Sequence, residues 1–373
     1  MRLVVLKENF KKGLGYVERI TGKNLSLPIL ENVLISAEQN FLHLTSTNLE
    51  TAISWWGFAK TEKEGKIAVP VKFLSTLTSF FSKEPITLKV ENTTLHIESG
   101  SFRNQIKGFS PDEFPIIPLI ENQVFTLENA SFIEGLSQVV EVATTTFTRP
   151  EISGVYFSTE GNFIKLVATD SFRLAEKTLP IKKRVENDIS FILPARTVYE
   201  LINSFDDKKG QLFVYFSPSQ VMFELPMEET PHPELQITSK LIEGEYPNYQ
   251  DIIPKKHDSQ FTVSRNDFLG QVKAAGLFSG KTNEVKLNVI PEKNRVEVFS
   301  QSAESGQSNS SLPAKIQGKK LEISFNWRFL AGGLSHIKSA EVTFGLTKEE
   351  GPAVLKPVED LSYLYVVMPV KAS

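Results

Sequence analysis

Apolar residues recur along this chain in two rhythms. Phe10, Leu14, Val17 and Ile20 fall on one face of a helix, as do Phe132, Leu136, Val139 and Val140 and, further on, Phe268, Val272, Ala275 and Leu277. Alternating runs mark strands, as in Ile86-Thr87-Leu88-Lys89-Val90 and Leu212-Phe213-Val214-Tyr215-Phe216. Each of three successive stretches predicts a short strand, a helix, further strands and a second helix, an α+β arrangement of two helices plus several strands.

The stretches are copies of one another. A strand ending in small polar residues occurs at Leu42–Asn48, again at Ile164–Asp170 and more weakly at Val296–Ser302, separated by 122 and 132 residues. A strand running into a helix occurs at Ile67–Leu74, Phe191–Val198 and Ile323–Leu330, separated by 124 and 132 residues. Pro70 and Pro194 suit a first helical turn, where the missing N–H is not needed, and Asn326 is suited to cap the third copy. Pro115 and Pro247 sit 132 residues apart in segments that close the first two copies. A repeat at so long a period dictates the architecture: three domains, 1–121, 122–254 and 255–373.

The chain has 373 residues, enough for two or three cores, with 40% hydrophobic and 23% charged residues. It has no cysteine, which excludes disulfide frameworks, thiolate nucleophiles and cysteine-ligated zinc. With no signal-like amino terminus and no run of eighteen apolar residues, a soluble, cytoplasmic protein without membrane contact is expected. A net charge of -3 is unlike that of a protein held to nucleic acid by gross electrostatics, so any such contact must use a local basic surface.

Such a surface has a candidate. Aligning the three strand-to-helix landmarks places Lys72, Arg196 and Arg328 at the same point of each second helix. Repeated cations of this kind suit sequence-independent phosphate contact, and because cations near a helix start oppose its dipole, something other than helix stability favours them. A solvated helix start is the bland alternative. Lys11, Lys12, Arg19, Lys23, Arg149, Lys273, Lys281 and Lys338 extend the candidate surface.

Catalytic chemistry has no comparable signature. Phosphate-binding loop, dinucleotide fingerprint, GxSxG elbow and HExxH helix are all absent, and the five histidines are far apart in sequence. Asp170 beside Arg173 fits a side-chain-stabilised turn better than acid–base work. No enzyme activity, metal or cofactor is expected.

Four segments carry a family resemblance: Leu27-Pro28-Ile29-Leu30-Glu31-Asn32, Arg149-Pro150-Glu151-Ile152-Ser153-Gly154-Val155, Ala168-Thr169-Asp170-Ser171-Phe172-Arg173-Leu174-Ala175 and Tyr365-Val366-Val367-Met368-Pro369-Val370-Lys371. In these the chain resembles the bacterial beta sliding clamp, the processivity subunit of DNA polymerase III, along its whole length. The resemblance implies the DNA clamp fold, with inner helices, outer antiparallel sheets and two chains joined head to tail as a closed homodimeric ring around double-stranded DNA. It implies DNA-facing roles for Lys11, Lys12, Lys23, Asn24, Lys72, Arg149, Arg196, Lys273, Lys281 and Arg328, and a dimer interface near Ile106, Leu277 and Phe278. It further implies a cleft that receives a short linear motif from the polymerase alpha subunit, the clamp loader, mismatch-repair and ligase proteins. Carried over residue by residue, that cleft comprises Ile152, Thr169, Ser171, Phe172, Arg173, Leu174, Pro247, Ile252, Val366, Met368, Pro369 and Val370.

This chain departs from the family pattern in places. Phe172 and Asp251 stand where polar and basic residues are common, which makes the expected cleft more apolar and less basic. Asn24 replaces a basic residue, with Lys23 as a substitute, and 228–233 reads as a loop insertion. Two competing readings are an enzyme on repeated α+β domains, which requires convergent ionisable groups in a pocket, and a protein-binding scaffold with no DNA function.

Overall fold

The structure, a computed structural model, describes residues 1–22, 26–144, 148–182, 188–348 and 350–370. Six α-helices occur among them: α1 (Lys7–Val17), α2 (Val71–Ser79), α3 (Asn129–Val139), α4 (Ala195–Phe205), α5 (Arg265–Gly276) and α6 (Trp327–Ser335). They alternate with antiparallel strands in the predicted order, two helices to each copy of the repeat.

Burial follows the helical periodicity. Phe10, Leu14, Val17 and Ile20 of the first copy and Phe132, Leu136, Val139 and Val140 of the second are all buried. In the third copy Phe268, Val272 and Ala275 are buried, but Leu277 is 76% exposed. Leu277 is the C-cap of α5 and keeps helical dihedrals (φ -66°, ψ -22°), but coming nine residues after Phe268 it stands about half a turn round the helix from the buried face.

The helix starts depart from expectation in one respect. Pro70 and Pro194 are the last residues of the strands Gly65–Pro70 and Ser190–Pro194, and neither lies in the first helical turn. Proline at that point ends a strand by withholding an N–H, and its fixed φ is equally compatible with the extended ψ of 111° seen at Pro70. Asn326 caps α6 as anticipated, its Oδ1 accepting from Arg328 N at 3.0 Å.

Contacts divide the chain into two compact units. The first comprises Met1–Ala130, Ile181–Arg184 and Glu200–Leu241 and holds a 12-stranded sheet, with α1 packed on α2. Its central strand Thr51–Lys63 pairs with Pro233–Lys240 in the register Trp55↔Leu235 to Thr51↔Ser239, so the sheet runs without interruption from the first repeat into the second. Trp55 of this strand is buried, and Gly13 lets α1 approach it: a Cβ on Gly13 would stand 2.3 Å from the Trp55 ring.

The second unit comprises Ser131–Pro180, Val185–Tyr199 and Ile242–Ser373, with sheets of nine and four strands and α5 packed on α6. Here Arg173–Pro180 pairs with Tyr363–Val367, in the register Arg173↔Val367, Leu174↔Val366 and Ala175↔Tyr365. This join repeats the one in the first unit, with Arg173 at the position of Thr51, 122 residues earlier.

Candidate functional site

The segment Thr169–Arg173 forms a tight turn between two strands of the second unit. Asp170 Oδ1 accepts from the backbone N–H groups of Phe172 (3.0 Å) and Arg173 (2.9 Å), and Thr169 Oγ1 accepts from Ser171 N at 3.2 Å. Ser171 adopts a φ of 76°, a left-handed conformation that these side-chain bonds hold in place. The turn thrusts Phe172 outward, leaving it 61% exposed. Asp170 therefore serves as turn builder.

Two arginines brace the turn. Arg149 Nη1 donates to Ser171 Oγ at 3.1 Å, and its Nε donates to Glu151 Oε1 at 3.1 Å. Arg173 donates from Nε to Asp170 Oδ2 at 3.0 Å and from Nη2 to the Glu141 carbonyl at 3.0 Å. Its guanidinium lies 4.8 Å from the centre of the Phe329 ring, and Phe329 also stacks with Phe172 at 6.4 Å.

Beside the turn lies an apolar cluster formed by Ile152, Val167, Leu174, Ile192, Tyr246, Tyr249, Val354 and Val366. Tyr156, Ile242, Ile253 and Leu364 pack against it. Tyr156 and Tyr246 stack at 4.6 Å, while Tyr249 OH donates to Glu176 Oε2 at 2.6 Å. Burial pushes both Tyr246 and Tyr249 well above the ordinary phenol range, and Glu176 raises Tyr249 further, so both remain protonated.

Of the twelve cleft residues expected from sequence, Ile152, Leu174 and Val366 join this floor, and Thr169 is buried at the turn. Ser171, Phe172 and Ile252 are exposed, while Arg173, Pro247, Met368, Pro369 and Val370 are half-buried. Met368 N donates to the Phe172 carbonyl and Val370 N to the Ser324 carbonyl, both at 2.8 Å, which fastens the chain's last described residues beside the turn. Sequence reasoning missed the other residues of the cluster, among them Tyr156, Val167, Ile192, Tyr246, Tyr249, Val354 and Leu364. Tyr246 adjoins Pro247 in the repeat-closing segment, and Val167 lies in the Ile164–Asp170 strand, so their positions were within reach. Asp251 is exposed and its Oδ2 accepts from Asn248 Nδ2 at 2.7 Å.

The basic positions separate into two sets. Lys72, Arg196 and Arg328 are each the second residue of a helix, α2, α4 and α6, and each is exposed. Lys11, Lys273 and Lys281 are likewise exposed. Other cations already have partners: Lys12 pairs with Glu234, Arg149 with Glu151, and Lys338 with Glu134 at 2.9 Å. Lys11, Lys12 and Arg19 share a groove of about 560 Å³ with Glu8, Asp206 and Asp207, so the α1 surface is balanced in charge rather than uniformly basic. Lys23 and Asn24 lie outside the described residues.

Ile106 is only 5% exposed, covered by its own unit on the edge strand Phe102–Lys107, whereas Phe278 is half-buried. Exposed apolar groups near Ile106 along the chain are Phe102, Phe109, Ile116 and Leu119, and Phe80 at the end of α2 is exposed as well. The 228–233 segment folds back so that His232 stacks on Phe41 at 4.0 Å. Among the described residues no group of three or more His, Asp or Glu side chains is placed to hold a metal ion, and no helix is long and apolar enough to cross a membrane.

Comparison with known proteins bears on both the fold and the chain as a whole. The structure superposes on a DNA polymerase sliding clamp from Bacillus subtilis with a TM-score of 0.94 at 23% identity, each chain covered in full. A sliding clamp from Pseudomonas aeruginosa gives 0.93 at 21% identity, again over 100% of both chains. At that identity the likeness establishes the three-domain clamp fold. In sequence, the beta sliding clamp of Synechococcus elongatus is 28% identical over 379 residues, covering 100% of this chain and 99% of its own. That of Bacillus subtilis is 24% identical over 384 residues and covers 100% of both. Models of the DNA polymerase III beta subunit match in chain order, the N-terminal domain at residues 1–118, the central domain at 126–248 and the C-terminal domain at 250–371. With all three domains matched in order and relatives aligned from end to end, the chain belongs to the DNA polymerase III beta subunit family, the bacterial beta sliding clamps, which are processivity factors and not enzymes.

Proposed function

We propose that two copies of this chain close head to tail into a ring around double-stranded DNA and tether the replicative polymerase to it. In this reading the chain comprises domains 1–121, 122–254 and 255–373, acts in the cytoplasm, and grips duplex DNA without regard to sequence. The observation that carries it is the exposed cation at the second residue of α2, α4 and α6, one for each repeat. Evenly repeated phosphate contacts give attraction without register. A closed ring cannot leave sideways, so weak contacts suffice for retention and leave the protein free to slide. That logic accommodates a net charge of -3.

The dimer contact joins the surface near Ile106 to Leu277 and Phe278 of a second copy. Exposed Phe80, Phe102 and Leu277 support it, being apolar groups that a partner would cover. A heterologous contact closes at two chains here because each chain is itself threefold repeated.

Partners dock at the Phe172 turn. The buried floor around Leu174 and Val366, with Phe172, Ile252 and Met368 at its rim, suits an apolar anchor residue of a short linear motif carried by the polymerase alpha subunit, the clamp loader or another clamp-binding protein. Met368 lends adaptability through its flexible thioether.

Retention tests the ring. Protein loaded onto nicked circular DNA should remain through gel filtration and run off once the circle is cut. Equal retention on both forms would refute encirclement and favour a protein-binding scaffold.

A further inference from the structure

Glu234 is the second residue of the strand Pro233–Lys240 and follows directly on the 228–233 insertion. Its Oε1 accepts from two lysines at once, Lys12 Nζ of α1 and Lys208 Nζ, both at 2.7 Å. The three differ in freedom: the side chains of Glu234 and Lys208 are only 15% and 11% exposed, whereas that of Lys12 is 47% exposed. Lys208 has a second anchor, its ammonium lying 5.8 Å from the centre of the Tyr16 ring. Burial alone would raise the Glu234 carboxyl, but the two lysines outweigh it and hold it below the usual carboxylate range.

A buried carboxylate shared by two ammonium groups cannot swing away, and losing either partner would leave it undercompensated. Lys12 is the more exposed partner and the one able to leave, and it is also among the candidate DNA-facing cations. A phosphate approaching α1 must therefore compete with Glu234 for Lys12.

We infer that Glu234 is a positioning residue that withholds Lys12 from DNA and so weakens the grip of this surface on the duplex. The inference rests on the DNA-encircling reading above. It gives the 228–233 insertion a consequence, since that segment leads directly into Glu234, and it fits a protein that must slide, for which each firm phosphate contact is a brake.

Glu234→Gln keeps an oxygen that both lysines can reach and removes the charge. Binding of a fluorescent DNA duplex, followed by anisotropy across a salt series, should show tighter binding by E234Q at low salt. The slope of log affinity against log salt should steepen by about 0.9 for each lysine released. The same substitution made in a Lys12→Gln background should produce no steepening. Equal steepening in both backgrounds would mean that Lys12 is not the group withheld, and none in either would mean that Glu234 withholds nothing; each overturns the proposal. A triple Lys72→Glu, Arg196→Glu, Arg328→Glu variant measured alongside reports on DNA binding alone. Lost affinity there with an unchanged slope in E234Q defeats this inference and leaves the clamp reading standing, whereas unchanged affinity in the triple variant defeats both.

Discussion

The backbone N–H of Met368 donates to the carbonyl of Phe172 across 2.8 Å, tying the chain's final segment to a turn that lies nearly two hundred residues earlier. The contact continues the ladder in which Arg173 faces Val367 and Leu174 faces Val366. The apolar rim is thus assembled from two distant stretches of sequence, and the last residues can be removed without cutting the strand that supports them.

Deletion of Met368–Ser373 should therefore weaken a clamp-motif peptide by roughly thirtyfold or more, taking the loss of three half-buried wall residues together as about 2 kcal/mol or more. Tyr363–Val367 is retained, so the deleted protein should sediment as the parent does. Calorimetric titration and sedimentation velocity check the two halves. Undiminished peptide affinity would remove the carboxy-terminal residues from the cleft.

Reversing Lys72, Arg196 and Arg328 together should shorten residence on circular DNA and flatten its salt dependence, by about 0.9 in slope for each phosphate contact removed. Each is exposed at a helix start, so thermal stability should be unchanged or slightly improved as the opposition to the helix dipole is relieved. Loading followed by gel filtration at several salt concentrations reads the first effect, and a melt reads the second.

Gly13→Ala should destabilise the first unit by about 1–3 kcal/mol, the usual cost of overpacking. The added methyl would meet the buried Trp55 ring at 2.3 Å, and the ring also covers Gly57, where a Cβ would stand 2.1 Å from it, so the indole is closely packed over both glycines. Chemical denaturation monitored by tryptophan fluorescence gives the value; a change of a few tenths of a kcal/mol would mean that α1 can shift away from the sheet.

The Lys177–Asp360 pair predicts a pH dependence. Lys177 Nζ lies 2.6 Å from Asp360 Oδ2, and the Lys177 side chain is only 9% exposed. Burial alone would raise Asp360, but the bonds from Lys177 and Ser362 outweigh it and hold the carboxyl below its usual range. A depressed carboxylate stabilises the fold above its unfolded pKa and ceases to do so as pH falls through the folded value. Asp360→Asn should thus lower the melting temperature at neutral pH, and the gap from the parent should close on acidification. A gap that is constant with pH would assign the loss to packing instead of charge.

Much of the fold could be read locally. The apolar spacing of Phe10, Leu14 and Val17, or of Phe132, Leu136 and Val139, reports a helix face because burial on one side imposes the helical period whatever the partner. The spacing also kept Lys72, Arg196 and Arg328 in register, since each occupies the same step of a strand-to-helix junction. Leu277 does not belong to the face of Phe268: nine residues on, it stands about half a turn round the helix, and its side chain is exposed. The Asp170 turn was likewise written in neighbouring residues, because its hydrogen bonds close within three positions.

Long-range pairing was not legible. Sequence periodicity says which face of a strand is buried and is silent on which strand lies beside it, so Leu235 facing Trp55 and Leu174 facing Val366 emerged only from the folded sheets. Charge behaved in the same way. Along the chain Lys12 is one of several equivalent lysines, and only the fold brings Glu234, 222 residues away, within 2.7 Å of it. The sequence by itself determined the repeated elements, their buried faces and the registered cations, all set by neighbours within a few turns. The tertiary structure decided which other cations, such as Lys12, Arg149 and Lys338, are paired and which apolar residues share a floor, because an ion pair or a packed cluster depends on distance in space, which local sequence does not encode.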